Sequence, residues 1–225
     1  YYYKSMVAGF VAGSRKYGVS FSFIARNTAR SILSHKAGPP VIVWPAERND
    51  YAECCRMMDD GVNFLLLSSS FDDTELPAID GDNRAGAEMI AAHFVENGHT
   101  TAGIVLKGRQ PSLDHSVRLA AFRSHMKRKG SGMEALVFMP EKSIYREQKE
   151  RRKFVRWLEE NSITAVFAID LELAEELYGI CEENSISIPG DISIAAFDDS
   201  ELAEFLRPPL TVVSQPFREM AETAV

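Results

Sequence analysis

Short apolar runs recur along this chain, and amphipathic segments separate most of them. The runs cover residues 19–25, 40–44, 62–67, 101–106, 135–138, 164–169 and 192–197. Runs of this length, without polar alternation, read as strands buried on both faces. Four intervening stretches carry a helical period. Residues 84–97 bring Met89, Ile90, Ala91, Phe94 and Val95 near one face, with Asp82 or Asn83 suited to the N-cap and Asn97-Gly98 to the stop. Residues 171–184 gather Leu173, Ala174, Leu177, Tyr178 and Cys181, and 116–129 and 148–160 behave in the same way. Strands buried on both faces and linked by helices imply parallel sheets with helices on both sides, joined by right-handed crossovers. The predicted class is α/β.

Residues 68–82 interrupt this rhythm. They are polar, contain Pro77 and have no helical period. A chain leaves one lobe and enters another at such a stretch. The prediction is two Rossmann-like lobes, with parallel sheets flanked by helices and a ligand cleft between the lobes.

Charge narrows the function. The 225 residues carry a formal net charge of −7, whereas a domain that grips DNA phosphates needs a basic stripe. The basic runs at 127–129 and 149–153 read as a helix C-terminus and a solvated helix face. Cys54, Cys55 and Cys181 have no zinc spacing and fit free thiols in a cytoplasmic protein. No run approaches the roughly 18 apolar residues of a membrane span, and no signal peptide is visible. The chain opens at Tyr1, in what reads as a helix interior, so it is expected to be a segment of a longer protein.

Candidate site residues sit at predicted strand ends. Asp198 follows the run 192–197, where a carboxylate can accept two hydroxyl hydrogen bonds. Asp199 reads as the cap of a short helix over 200–206. Arg118 offers a planar fork of donors for hydroxyls or a carboxylate. Asp170 follows the run 164–169 and either caps the next helix or faces the cleft. Trp44 either stacks on the apolar face of a ligand or packs in the core, and the same choice holds for Phe167, with the core favoured. No GxGxxG after a strand, GxxxxGK[ST] or GxSxG is present, and His93 and His99 lack metal-ligand spacing. No enzyme activity, cofactor or metal is expected.

Several longer motifs are specific. Asp82-Asn83-Arg84-Ala85-Gly86-Ala87, His93-Phe94 and Asn97-Gly98-His99 resemble the family of the lactose and galactose repressors. So do Arg118-Leu119-Ala120-Ala121-Phe122, Ile188-Pro189-Gly190-Asp191-Ile192-Ser193-Ile194-Ala195-Ala196-Phe197-Asp198-Asp199, and the segment from Pro208 to Pro216. The resemblance runs from Met6 onward. It implies a periplasmic-binding-protein-like pair of lobes, 1–80 with 216–225 returning to it, and 81–215. It also implies the sugar-sensing domain of a dimeric repressor-type regulator, whose DNA-binding helix-turn-helix head lies outside this chain. The resemblance makes Asp198 and Arg118 ligand contacts. It adds Gln215, at a hinge position that either reaches the ligand or bridges strands. The sequence departs from the family pattern at Ile169, Ala121 and Ala196, and at Ser68-Ser69-Ser70, where relatives often carry an Arg. The serine triplet suggests a different effector. A sugar-binding transport protein of the same fold is the alternative, separable by what precedes Tyr1.

Overall fold

Every strand pairing in the computed structural model, which describes residues 2–23, 40–44, 48–71, 75–108, 111–129 and 135–225, is parallel. The chain divides into two compact units, Tyr1–Gly81 with Pro216–Val225, and Asp82–Gln215.

The first unit begins with helix α1 (Tyr2–Tyr17) and continues through β1 (Val41–Val43), α2 (Tyr51–Asp59), β2 (Phe64–Leu67) and β3 (Ala78–Ile79). Its sheet has the order β1-β2-β3. Strand β3 lies within the polar stretch 68–82, which the sequence pattern left without a strand. Two residues next to Pro77 are too few to show a period. The apolar run 19–25 does not become a strand over its described part: residues 19–23 have no ladder, and 24 and 25 lie outside the described residues. Phe21 and Phe23 instead set their rings 5.6 and 5.9 Å from that of Phe10.

The second unit holds α3 (Asn83–Glu96), β4 (Ala102–Val105), α4 (Leu113–Lys129), β5 (Ala135–Phe138), α5 (Gln148–Glu160), β6 (Ala165–Ala168), α6 (Leu171–Glu183), β7 (Ser193–Phe197), α7 (Glu201–Phe205) and β8 (Thr211–Val213). Local chemistry sets the boundaries. The Asp82 carboxylate accepts from the Ala85 amide at 2.8 Å to start α3, and Gly98, at φ +80°, sits just past its end. Asp170 caps α6 through the Leu173 amide at 2.9 Å. The cap of α7 is Ser200, through the Leu202 amide at 3.1 Å, not Asp199 as the sequence suggested. Asp198 has already left the strand in a left-handed conformation, at φ +71°, so strand alternation no longer assigns the two carboxylates.

The sheet order β5-β4-β6-β7-β8 positions the site. The chain starts at β4, crosses to the edge strand β5, and then crosses back past β4 to β6. The crossovers on either side of β4 and β6 cover opposite faces, which opens a crevice at the carboxyl ends of these two strands. All four residues of β4 and of β6 are buried. Phe94, Phe122, Phe154, Phe167 and Phe197 are fully buried between the sheet and its helices.

The chain then returns to the first unit as α8 (Phe217–Ala224). There Met6 and Phe10 of α1 pack with Phe217, Met220 and Ala221 around Leu67 of β2. Gly9 permits this approach: a Cβ at that position would lie 2.2 Å from the Arg218 carbonyl oxygen.

Gly86 of α3 makes an equally close contact. A Cβ there would meet the Phe197 ring at 2.3 Å and a Val213 methyl at 2.9 Å. Neither the ring nor the β-branched side chain can swing clear, so Gly86→Ala is expected to destabilise the protein by about 1–3 kcal/mol. Urea unfolding checks this, and an unchanged midpoint would show that the α3–β7 contact is slack.

Candidate functional site

The carboxyl edge of the five-stranded sheet gathers polar side chains that the apolar strands themselves lack. Lys107 lies two residues past the end of β4, Asp170 two past β6, Asp198 directly after β7, and Gln215 two past β8. Arg118 reaches the same edge from α4 and Asn83 from the first turn of α3. Both are buried, at 3% and 6% exposure.

Arg118 is the centre of the cluster. Its Nε donates to Asn83 Oδ1 at 2.8 Å and its Nη1 to the Ile169 carbonyl at 3.0 Å. The guanidinium stacks on the Phe197 ring, with Cζ 3.8 Å from the ring centroid. Asp198 Oδ2 lies 3.7 Å from Nη1, an ion pair beyond hydrogen-bonding distance. The other oxygen of Asp198, Oδ1, accepts from Gln215 Nε2 at 2.5 Å. Gln215 thus bridges the ends of β7 and β8 and fixes the carboxylate at the same time. Burial pushes the Asp198 carboxyl above its ordinary range. Arg118 and Gln215 pull it back without cancelling the effect. One carboxylate oxygen is left to attract donors beside a buried guanidinium, which suits a ligand rich in hydroxyls.

A second group adjoins it. Asp170, besides capping α6, pairs through Oδ2 with Lys107 Nζ at 2.9 Å, and Lys107 also contacts Glu172. His115 Nε2 stands 3.8 Å from Asp170 Oδ2. Burial disfavours the Lys107 charge, but Asp170 and Glu172 outweigh it and raise its pKa. Burial, then the Arg118 charge, pushes His115 down to about 4, with Asp170 opposing and Lys107 adding, so the imidazole is neutral at physiological pH.

Of the six residues singled out in the sequence, Asp198, Arg118 and Gln215 are in direct contact or paired, and Asp170 belongs to the adjoining group. Phe167 takes the core place that the sequence favoured and not the stacking one: it is fully buried in β6, with its ring 5.2 Å from Phe122 and 6.3 Å from Phe197. No ring face is left for a sugar. Trp44 belongs to the first unit, where its indole N–H donates to the Tyr2 hydroxyl at 2.5 Å and its ring packs near Tyr2, Tyr3 and Phe10. Sequence reasoning missed Asn83, Lys107 and His115. The signal for Lys107 was present, since it follows an apolar run just as Asp170 and Asp198 do.

Residues 91–225 match the family described as the periplasmic binding protein-like domain, which is more than half of the chain. The chain belongs to this family. The HTH-type transcriptional regulator DegA of Bacillus subtilis (strain 168) is 34% identical over 140 residues, covering 62% of this chain and 40% of that protein. This periplasmic binding protein-like chain spans about half the length of the curated relatives it matches. Two solved structures share its fold over 99% of its residues. A complex of the transcriptional regulator CelR with cellobiose has a TM-score of 0.79 at 21% identity, over 70% of that chain. A dimeric Lac repressor has a TM-score of 0.78 at 21% identity, over 83% of that chain. These relatives carry the names of regulators rather than enzymes. No helix among the described residues is long and apolar enough to cross a membrane.

Two outcomes follow from the cluster. Asn83→Ala leaves the buried Arg118 Nε without its acceptor and should cost about 1–3 kcal/mol in urea unfolding; no loss would mean that water replaces the amide. His115 makes stability depend on pH. Between about 6.5 and 4 the unfolded chain binds a proton at this residue and the folded chain does not, so stability is full above that window and falls as pH drops through it, by on the order of 3 kcal/mol. The His115→Gln protein should have a correspondingly flatter stability profile across that window; parallel profiles would place the imidazole in water.

Proposed function

We propose that this chain is the effector-sensing part of a repressor-type, DNA-binding transcriptional regulator. A sugar or sugar derivative binds at the carboxyl edge of the second unit's sheet. The observation that carries this reading is the Asp198 carboxylate, held by Gln215 at 2.5 Å and faced by the buried Arg118 guanidinium at 3.7 Å. Asp198 and Gln215 take the ligand's hydroxyls, and Arg118 holds that edge of the sheet in register.

The relatives support the regulatory role. DegA is an HTH-type regulator, and the CelR structure holds cellobiose. With a net charge of −7, this segment does not grip DNA phosphates. DNA is read by a helix-turn-helix head elsewhere in the protein, and the regulator acts as a homodimer in the cytoplasm, as the Lac repressor named above is dimeric. Effector binding shifts the preferred arrangement of the sensing domain. A coupling of about 1–3 kcal/mol changes DNA affinity roughly 5–150-fold. The ligand is released unchanged, since the site's carboxylates hold structural partners rather than flanking a common bond.

Thermal unfolding against a panel of pentoses, hexoses, disaccharides and their acidic derivatives tests the site. A ligand at about 100 times its dissociation constant should add about 2.7 kcal/mol of stability. Asp198→Ala should remain folded and lose the shift. Full ligand affinity in Asp198→Ala would overturn the site assignment.

A further inference from the structure

Lys107 and His115 lie where the sheet's crevice opens. Lys107 follows β4, Asp170 follows β6, and these are the two strands between which the chain reverses its direction of travel across the sheet. Ligands of open parallel sheets sit at this point. The sugar-binding reading above uses Asp198 and Gln215, one and two strands away, and leaves this group without a task.

The group pairs two donors, Lys107 and His115, with carboxylates that are already engaged. The Asp170 carboxylate is occupied on both oxygens, by the Leu173 amide on Oδ1 and Lys107 on Oδ2. The Lys107 ammonium has three N–H donors and two carboxylate partners. One partner, Glu172, is 75% exposed, and an exposed pair of this kind is held weakly and yields to a competing anion. The His115 ring is half-buried, and Asp170 stands too far from it, at 3.8 Å, for a hydrogen bond. Around that ring Arg118 and Lys107 contribute positive charge and Asp170 negative, and the sum is positive. The remaining corner is Ile169, fully buried, with its carbonyl already bonded to Arg118. That corner therefore offers the Lys107 ammonium and an imidazole N–H as donors; its acceptors are the Asp170 and Glu172 carboxylates, both already paired with Lys107, and the second nitrogen of the neutral ring, with Glu175 and Glu176 further along α6.

We infer that Lys107 and His115 form an anion-receiving end of the ligand site, so that the effector is a sugar derivative bearing a carboxylate or a phosphate. The inference rests on the proposed sugar site at Asp198 and names its ligand class. The bound anion replaces Glu172 on Lys107 and lies beside His115. A negative charge next to the imidazole stabilises its protonated form, so binding raises the His115 pKa and draws a proton from solution as pH falls below 6.5.

The test compares neutral hexoses and pentoses with their aldonates, uronates and phosphates, by calorimetry on the unmodified protein and on Lys107→Met, His115→Gln and Asp198→Ala. One acidic compound should bind more tightly than its neutral parent. Lys107→Met should weaken the acid roughly tenfold or more, the loss of one charge-assisted hydrogen bond, and leave any binding of the neutral parent unchanged. The His115 ring resonances in the unmodified protein should titrate at higher pH with the acid bound, a readout that needs no variant to fold. Whether aldonates and uronates or phosphates pass this test identifies the anion. Equal binding of acid and neutral parent, unaltered by Lys107→Met, overturns the inference and leaves the sugar site standing. Binding that Asp198→Ala does not affect overturns the site reading itself, and the absence of binding by any acid overturns the inference.

Discussion

A buried guanidinium needs every donor accounted for, and the Arg118 side chain therefore organises the edge of this sheet. It is tied to the start of α3 through Asn83, to the end of β6 through the Ile169 carbonyl, and to β7 through the Phe197 ring. Three separate elements thus converge on one planar group. A charge this deep is tolerated only with good hydrogen bonds and an electron-rich ring face, because removing it from water costs several kcal/mol. The Asp198 carboxylate adds a fourth tie at a longer distance. The arrangement fixes Arg118 as a scaffold and leaves Asp198 Oδ2 with only this longer tie to it.

The backbone repeats this design. Asp198 follows β7 at φ +71°, and its N–H donates to the Val213 carbonyl at 3.0 Å. In the first unit Ser68 follows β2 at φ +58°, and its N–H donates to the Ile79 carbonyl at 2.8 Å. Each unit thus ends a central strand in a left-handed residue bonded to its neighbouring strand. Such a conformation costs about 1–2 kcal/mol for a residue with a Cβ, and non-glycine residues kept there concentrate at functional corners. A polar side chain is what this turn presents. In the second unit it is a carboxylate, and in the first a buried serine followed by Ser69, whose hydroxyl turns back to the Ser68 carbonyl at 2.6 Å.

The α/β class and the placement of the longer elements were readable from apolar runs and helical period, because strands such as β4 and β6 are buried on both faces and cannot carry polar residues. Strand β3 was not readable, because two residues carry no pattern. The cap of α7 was assigned one residue early, since Asp199 and Ser200 are both good caps and only the left-handed turn at Asp198 decides between them. Motif and position singled out Asp198, Arg118 and Gln215, which the structure brings together at one edge of the sheet. For Phe167 the favoured core reading is the one the structure shows, since an aromatic inside a fully buried strand has both ring faces packed. Asn83 was seen only as a helix cap, because its role depends on a side chain 35 positions away. His115 lay just outside the helix the pattern suggested, which began at residue 116, whereas α4 starts at Leu113.

The overall acidity of the chain says little about the sign of the site. Charges on the exposed surface are screened over roughly 8 Å at physiological ionic strength, while half-buried ones are screened much less. The net charge of −7 is a statement about the solvated faces, where Glu and Asp predominate. At the carboxyl edge of the sheet the balance differs: Lys107 and Arg118 face Asp170, Glu172 and Asp198, and the two aspartates are committed to a helix cap and to Gln215. Burial weakens Asp198 as a charge by raising its pKa. Burial therefore shifts the local balance away from the composition, although Asp170, Glu172 and Asp198 outnumber Lys107 and Arg118 at this edge.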